Sequence, residues 1–362
     1  MTKRAYNFNP GPAALPLEVL QQAQEQFVDY NGIGMSLMEV SHRSKEYEAV
    51  NNETQQLLLE LLGINAGYQV LFMGGGASTQ FATIPMNFLK PGRTAGYIIT
   101  GSFSEKAYDE GRVVGEAVIA ASNKEGKWRS LPKASDIIVD PNAAYVHMTT
   151  NNTIEGSQFS YIPETGGIPL IGDMTSGILS RPIDVSKYAM IYAGAQKNLG
   201  PSGVTVAVIR DDMLQEEPKH IPFIFRYTTH AKNKSLYNTP PVHSIYMMNL
   251  VLKWIKKNGG AAAMERQSIE KSKLIYDAID TSGGFYQGNI DPDSRSIMNM
   301  TFRLPTEELE KQFVKESEQH NFVGLAGHRS VGGIRASAYI AVPYEACQAL
   351  AQFMDDFQKR NG

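Results

Sequence analysis

Short apolar runs punctuate the chain, each bounded by glycine, proline or polar residues. They fall at Val70–Met73, Tyr97–Thr100, Ala117–Ala120, Ala144–Met148, Pro169–Gly172, Met190–Ala193 and Val204–Ile209. Runs this short and continuous suit strands buried on both faces. Helical spacing of apolar residues appears between several of them, over Gln80–Leu89 and Ser104–Gly111. The alternation predicts an α/β fold with a mostly parallel, seven-stranded sheet covered by helices.

The pattern changes after Ile209. Thr228–His243 is polar, holds Pro240 and Pro241, and reads as an exposed loop. A helix is expected over Ser244–Lys257, ended by Gly259-Gly260. A long amphipathic helix follows over Ala261–Ile279. Then come a strand at Ile297–Phe302, a helix at Thr306–His320, strands at Val323–Ala326 and Ile334–Ile340, and a last helix at Pro343–Lys359. This mixture predicts a smaller α+β domain at 261–362 beside a large domain at 16–260. Segment 1–15 is expected to pack on the smaller one.

Composition narrows the partners. With 362 residues, more than one core is expected. A net charge of −3 and no long Lys/Arg run argue against nucleic acid or an anionic membrane as partner. No apolar stretch reaches membrane-spanning length, and Met1–Pro16 lacks the apolar centre of a signal peptide. The single cysteine, Cys347, cannot form an internal disulfide and fits a reducing cytoplasm. Metal-ligand spacing is missing, so no metal is expected.

Three features carry chemistry. Gly74-Gly75-Gly76-Ala77-Ser78-Thr79 follows an expected strand and opens an expected helix. Such a turn lets the backbone approach a ligand, and the helix N-terminus offers free N–H groups to a phosphate. A ligand-free tight turn is the alternative. Asp173 ends an apolar strand, where α/β sheets bind ligands. Against a pyridine nitrogen it would keep that nitrogen protonated; an N-cap role is the alternative. Lys197 stands among small residues just past a later strand, where a desolvated amine can attack an aldehyde. Alone it reads as one of many surface lysines. Together, a phosphate cup, an acid and a lysine occur in the order a pyridoxal 5'-phosphate (PLP) site needs.

The chain carrying these residues resembles the phosphoserine aminotransferase family over nearly its whole length. The resemblance lies in Asn7-Phe8-Asn9-Pro10-Gly11-Pro12-Ala13-Ala14-Leu15-Pro16, in Met35–Lys45, in Gln196-Lys197-Asn198 and in Gly333-Ile334-Arg335-Ala336-Ser337. It implies the fold-type I, aspartate-aminotransferase-like architecture and a homodimer with active sites at the subunit interface. It implies amino transfer between L-glutamate and 3-phosphohydroxypyruvate, giving O-phospho-L-serine and 2-oxoglutarate, and it allows 4-phosphohydroxythreonine as a further substrate. Lys197 would be the Schiff-base lysine and then the base that moves the α-proton, with Asp173 the partner of the pyridine nitrogen. Gly76, Ala77 and Ser78 would hold the cofactor phosphate, Phe103 would stack on the ring, and Thr153 and Gln196 would also contact the cofactor. Asn238 and Thr239 would reach the neighbouring subunit's phosphate.

Two positions depart from the family pattern. Many members carry Trp where Phe103 stands, and one branch carries Arg where Ser78 stands. The substrates carry two or more negative charges, which calls for fixed cations. Arg335 would take the α-carboxylate; His42, Arg43, His328 and Arg329 would receive the phosphate or the glutamate side chain. Arg43 could come from the other subunit, or could simply pair with Glu46 or Glu48. Cysteine desulfuration on the same fold would need a mobile loop cysteine, and Cys347 sits inside a helical pattern. A nicotinamide oxidoreductase would need a glycine fingerprint that Thr79 breaks.

Overall fold

The computed structural model describes residues 4–362. Its centre is a seven-stranded sheet built from β2 (Tyr68–Met73), β3 (Thr94–Ile99), β4 (Ala117–Ser122), β5 (Ala143–Thr149), β8 (Leu170–Asp173), β9 (Met190–Gly194) and β10 (Thr205–Arg210). Strand β1 (Tyr6–Asn7) precedes them, and a two-stranded ribbon, β6 (Asn151–Asn152) and β7 (Ser157–Gln158), lies between β5 and β8. The spatial order in the large sheet is β2-β10-β9-β8-β5-β3-β4. Every pair is parallel except the two made by β10, which runs antiparallel to β2 and to β9. The apolar runs of the sequence are these seven strands, one of them reversed.

Alternate residues of each strand enter different cores, as the two-residue strand period requires. Val70, Phe72, Ile98, Val146, Met148, Ile191, Val206 and Val208 belong to one cluster. Helices α1 (Leu17–Glu25), α2 (Lys45–Leu61) and α6 (Val242–Lys257) supply that cluster's other wall. Leu71, Met73, Tyr97, Tyr145, Ile171, Met190, Tyr192 and Ala207 belong to the other. There the sheet meets α3 (Gly76–Phe88), α4 (Ser102–Val114) and α5 (Tyr227–Lys232).

Helix α5 corrects the expectation of an exposed loop over Thr228–His243. Thr228, Thr229 and His230 are buried. Tyr227 Oη donates to Gln80 Oε1 at 2.7 Å, and His230 Nε2 donates to the Ile224 carbonyl at 2.8 Å. Tyr227 and His230 each meet one hydrogen bond there, while Thr228 Oγ1 meets none among the described residues, so polarity alone does not place these side chains. The rest of the stretch does reach solvent: Tyr237, Asn238 and Thr239 are exposed.

The C-terminal part builds its own core. Helix α7 (Gly260–Asp280) starts against the first cluster with Ala263 and Met264 and ends in another with Ile275 and Ile279. That cluster joins a three-stranded sheet, β11 (Gln287–Gly288), β12 (Asn299–Arg303) and β14 (Ile334–Ser337), to α8 (Glu307–Gln319) and α9 (Tyr344–Asn361). Phe313 stands at its centre, 5.1 Å from the ring centroids of both Phe353 and Phe357. β1 pairs in parallel with β13 (Phe322–Val323), so the N-terminal segment packs on this core through Phe8.

β14 stops at Ser337, short of the expected Ile340. The buried ammonium of Lys271 takes the carbonyls of Tyr339 and Val342, at 2.8 and 2.9 Å, which turns the chain out of the ladder.

Candidate active site

The parallel strands deliver the chemistry-bearing residues to one edge. β8 ends at Asp173, β5 at Thr149, and β9 leads within three residues to Lys197. β2 runs into the glycine turn and α3, and β3 runs into α4 with Phe103 in its first turn. A cavity of about 290 Å³ opens at this carboxyl edge, where open α/β sheets place their ligands. It gathers Gly76, Ala77, Ser78, Phe103, Thr153, Asp173, Gln196, Lys197, His328 and Arg335.

The glycine turn works through backbone shape. Gly75 caps α3 with φ +89°, in the left-handed region, and a Cβ there would overlap the Thr79 side chain. Thr79 Oγ1 donates back to the Gly75 carbonyl at 2.7 Å and locks the turn. The first N–H groups of α3 therefore lie at the cavity with no helical carbonyl to bind, which suits a phosphate.

Lys197 is buried, and its Nζ donates to Thr153 Oγ1 at 2.5 Å. Burial pushes its pKa down to about 8; Asp173 opposes that shift and Arg335 adds to it. Gly11 packs on the lysine stem, and a side chain at that position would press on Lys197 Cγ at 3.3 Å. The Ala13 N–H donates to the Gln196 carbonyl at 2.8 Å, tying the N-terminal segment to the lysine turn. Phe103 flanks the amine, its ring centroid 5.6 Å from Nζ.

Asp173 is fully enclosed. Burial raises its pKa, against which act the hydroxyl and N–H of Thr175, the Lys197 ammonium and the Tyr192 hydroxyl. The Thr175 N–H donates to Oδ1 at 2.9 Å. Tyr192 stands opposite Asp173 in the β8–β9 ladder, and its hydroxyl lies 2.9 Å from His147 Nε2. His147 is buried and neutral, its pKa pushed down to about 3 by desolvation.

Arg335 comes from β14, so the C-terminal sheet supplies one wall. Its Nη1 donates to the Thr153 carbonyl at 3.4 Å, and its Nε has no hydrogen-bond partner among the described residues. Burial pushes its pKa down, with Tyr339 and Glu155 opposing. Glu155 accepts both the N–H and the hydroxyl of Ser102, each at 2.8 Å, and makes no ion pair with Arg335. Arg335 is a buried cation available to a carboxylate.

The chain matches the aminotransferase class-V family over residues 5–350. It is 61% identical over 362 residues to a phosphoserine aminotransferase of Niallia circulans, covering 100% of each chain. This chain belongs to the phosphoserine aminotransferase family. The solved phosphoserine aminotransferase of Bacillus circulans subsp. alkalophilus superimposes with a TM-score of 0.98 at 61% identity, covering 99% of each chain. The PLP-bound phosphoserine aminotransferase of Trichomonas vaginalis does so with a TM-score of 0.93 at 40% identity, covering 97% of this chain and 100% of that one.

Five residues expected in the site of a phosphoserine aminotransferase lie outside this cavity. Asn238 and Thr239 are exposed; Asn238 lines a separate hollow behind the glycine turn with Gly74 and Thr79. Arg43 is exposed and, among the described residues, pairs with neither Glu46 nor Glu48. His42 is half-buried, with Nε2 lacking a partner among the described residues. Arg329 is exposed and turns to a different groove, beside Arg303 and Glu310.

Other residues line the cavity without having been anticipated: Pro10, Gly11, Phe81, Lys106, Thr149, Asn151, Ile154, Thr175 and Ser176. Thr149 and Thr175 stand at or beside strand ends, a positional signal; Lys106 lies one helical turn beyond Phe103. Cys347 is fully buried in α9 with its thiol pushed up to about 12 by desolvation, so it is no sulfur carrier.

Proposed function

We propose that this chain transfers the amino group of L-glutamate to 3-phosphohydroxypyruvate in serine biosynthesis, using pyridoxal 5'-phosphate. The observation that carries the reading is the convergence of Lys197, Asp173, the N-terminus of α3 and Arg335 on one cavity. The residues fit that cofactor on grounds internal to the chain. An amine near neutrality, a buried carboxylate and an open helix N-terminus match an aldehyde, a pyridine nitrogen and a phosphate. Thr149 Oγ1 is buried in the cavity wall with no partner among the described residues, a further polar group available to it.

Bound PLP supplies an aldehyde that carries the amino group and a ring that takes up electrons from the substrate's α-carbon. The chain does the rest. The α3 N-terminus, with Gly76, Ala77 and Ser78, holds the phosphate. Asp173 Oδ1 is held by Thr175, which keeps the carboxylate aimed at the ring nitrogen. Arg335 takes the α-carboxylate common to both substrates and so fixes which bond at the α-carbon is presented. Lys197 Nζ removes the α-proton and returns it, with Thr153 Oγ1 orienting the amine. Phe103, whose ring lies beside Lys197 Nζ, and Gln196 line the cavity and would contact the cofactor there.

We assign Asn238, Thr239, His42 and Arg43 to the cavity of a second copy of the chain, which supports a homodimer. The exposure of Asn238, Thr239 and Arg43 outside their own cavity favours this, as do the exposed Phe27, Val28, Met35 and Met38 in the preceding segment. His328, which lines the cavity, is assigned to the distal anionic group of the substrates; Arg329, which faces a different groove, is not. The reading takes 16–260 as the domain holding the cofactor and 261–362 as the smaller domain carrying Arg335. A cytoplasmic location is part of it; no helix among the described residues is long and apolar enough to cross a membrane.

The test is an assay of purified protein with glutamate, 3-phosphohydroxypyruvate and PLP. Phosphoserine and 2-oxoglutarate should form in equal amounts, and absence of both refutes the reading. A second outcome follows from the lysine. Uptake of PLP by cofactor-stripped protein should speed up as pH rises, with a midpoint near the amine's value of about 8. The neutral amine is the nucleophile, so the rate increases upward through that value. A midpoint near 10, as for an ordinary lysine, would mean that Nζ is solvated.

A further inference from the structure

Lys106 is an exposed lysine on α4 whose ammonium turns toward the cavity. Two acidic residues lie three and four positions further along the same helix, Asp109 and Glu110, where surface ion pairs ordinarily form. Among the described residues Lys106 pairs with neither. Its neighbour Glu105 is engaged by Lys124 at 2.7 Å. The Lys106 side chain instead runs back toward the helix N-terminus, the direction helical side chains prefer. Its Nζ stands 5.4 Å from the centre of the Phe103 ring.

That position adds a second cation to Arg335 at the cavity. Arg335 is buried in the same cavity, and His328 lines it. His328 feels Arg335, Lys106 and Arg329 together, and its pKa is lowered by burial and by those three charges. Glu155 is bound to Ser102 through one oxygen and makes no ion pair with Arg335 or Lys106, and Asp173, the carboxylate lining the cavity, is held by Thr175. A cavity mouth with this excess of positive charge favours a ligand carrying more than one negative charge at its distal end.

We propose that Lys106 is a specificity residue that reads the phosphate of the phosphorylated substrate at the cavity mouth. The inference rests on the substrate pair given under the proposed function. Both substrates bring an α-carboxylate, which occupies Arg335. They differ at the other end: a phosphate monoester carries close to two charges and three acceptor oxygens, a side-chain carboxylate one charge. A flexible lysine acts on a phosphate as a mobile point charge, and at the mouth it meets the group farthest from the reacting carbon. The aromatic face of Phe103 holds the ammonium there between turnovers.

The two half-reactions separate the substrates and so supply the test. Single-turnover kcat/KM is measured for glutamate with the PLP form and for 3-phosphohydroxypyruvate with the aminated form, in wild type, Lys106→Met and Lys106→Arg. Lys106→Met should lower the phosphohydroxypyruvate value about tenfold, the size of one partly exposed charge-assisted hydrogen bond. The glutamate value should change less than about twofold, and Lys106→Arg should restore most of the loss. Added salt should shrink the difference between wild type and Lys106→Met. Equal losses in both half-reactions, or no loss in either, overturn the assignment while leaving the enzyme's function intact. A wild type inactive on both substrates instead overturns the proposed function itself.

Discussion

Lys197→Ala is expected to lower transamination by about 10⁴-fold or more, because it removes a covalent anchor and a general base at once. Asp173 is committed to Thr175 and Arg335 stays protonated, so neither can take over the α-proton. Steady-state rates with both substrates check this, and activity within about tenfold of wild type would remove Lys197 from the mechanism.

The same lysine has a stability signature. Its pKa falls from an ordinary 10.5 to about 8 on burial, so below about pH 8 the cofactor-free fold holds a charge that it disfavours. The difference corresponds to about 3 kcal/mol. A lowered amine pKa means that the unfolded chain binds more protons between the two values. Wild-type stability therefore rises with pH from about 8 to 10.5, relative to a variant lacking the amine. Lys197→Met keeps the volume and drops the charge. In cofactor-free form it should be more stable than wild type at pH 7, with the gap closing as pH rises through that window. Denaturant unfolding of both proteins at several pH values measures it; a variant less stable than wild type at pH 7 would show that the ammonium is not a burden.

Asp173→Asn is expected to lower the turnover rate on the order of a hundredfold to a thousandfold, with little change in KM. Asparagine matches the shape of aspartate, and its carbonyl can still accept the Thr175 N–H. What it loses is the negative charge in a fully enclosed site, where a charge acts most strongly. The Tyr192 hydroxyl, backed by a neutral His147, favours the ionised carboxylate and gives an amide no comparable role. Single-turnover rates in each half-reaction, alongside the absorbance of bound PLP, separate lost chemistry from lost cofactor. Near-normal rates with full cofactor content would show that the acid does not serve the ring nitrogen.

The seven sheet strands were legible because each is a compact apolar run with breakers at both ends, and burial on both faces demands that pattern. The three residues at the centre of the site were legible for a related reason. A glycine turn, an acid and a lysine directly after such runs must lie at strand ends, and strand ends of a parallel sheet share one edge. Helices α1 and α2 went unnoticed because their apolar positions are diluted by polar ones; α2 buries Asn51 and Thr54 beside Val50 and Leu57.

Other features took shape only in three dimensions. The reversal of β10 left no mark, because an apolar run reads the same in both directions. Helix α5 was hidden because its polar residues sit in a core, two of them hydrogen-bonded to Gln80 and Ile224. Lys106 looked like any helical lysine until the fold turned it toward Arg335 and His328. Local patterns thus determined which segments are buried and which residues end them, since burial and backbone shape are properties of neighbours in the chain. The tertiary structure decided strand direction, the partners of buried polar groups and the company each charge keeps, because these depend on residues distant in sequence.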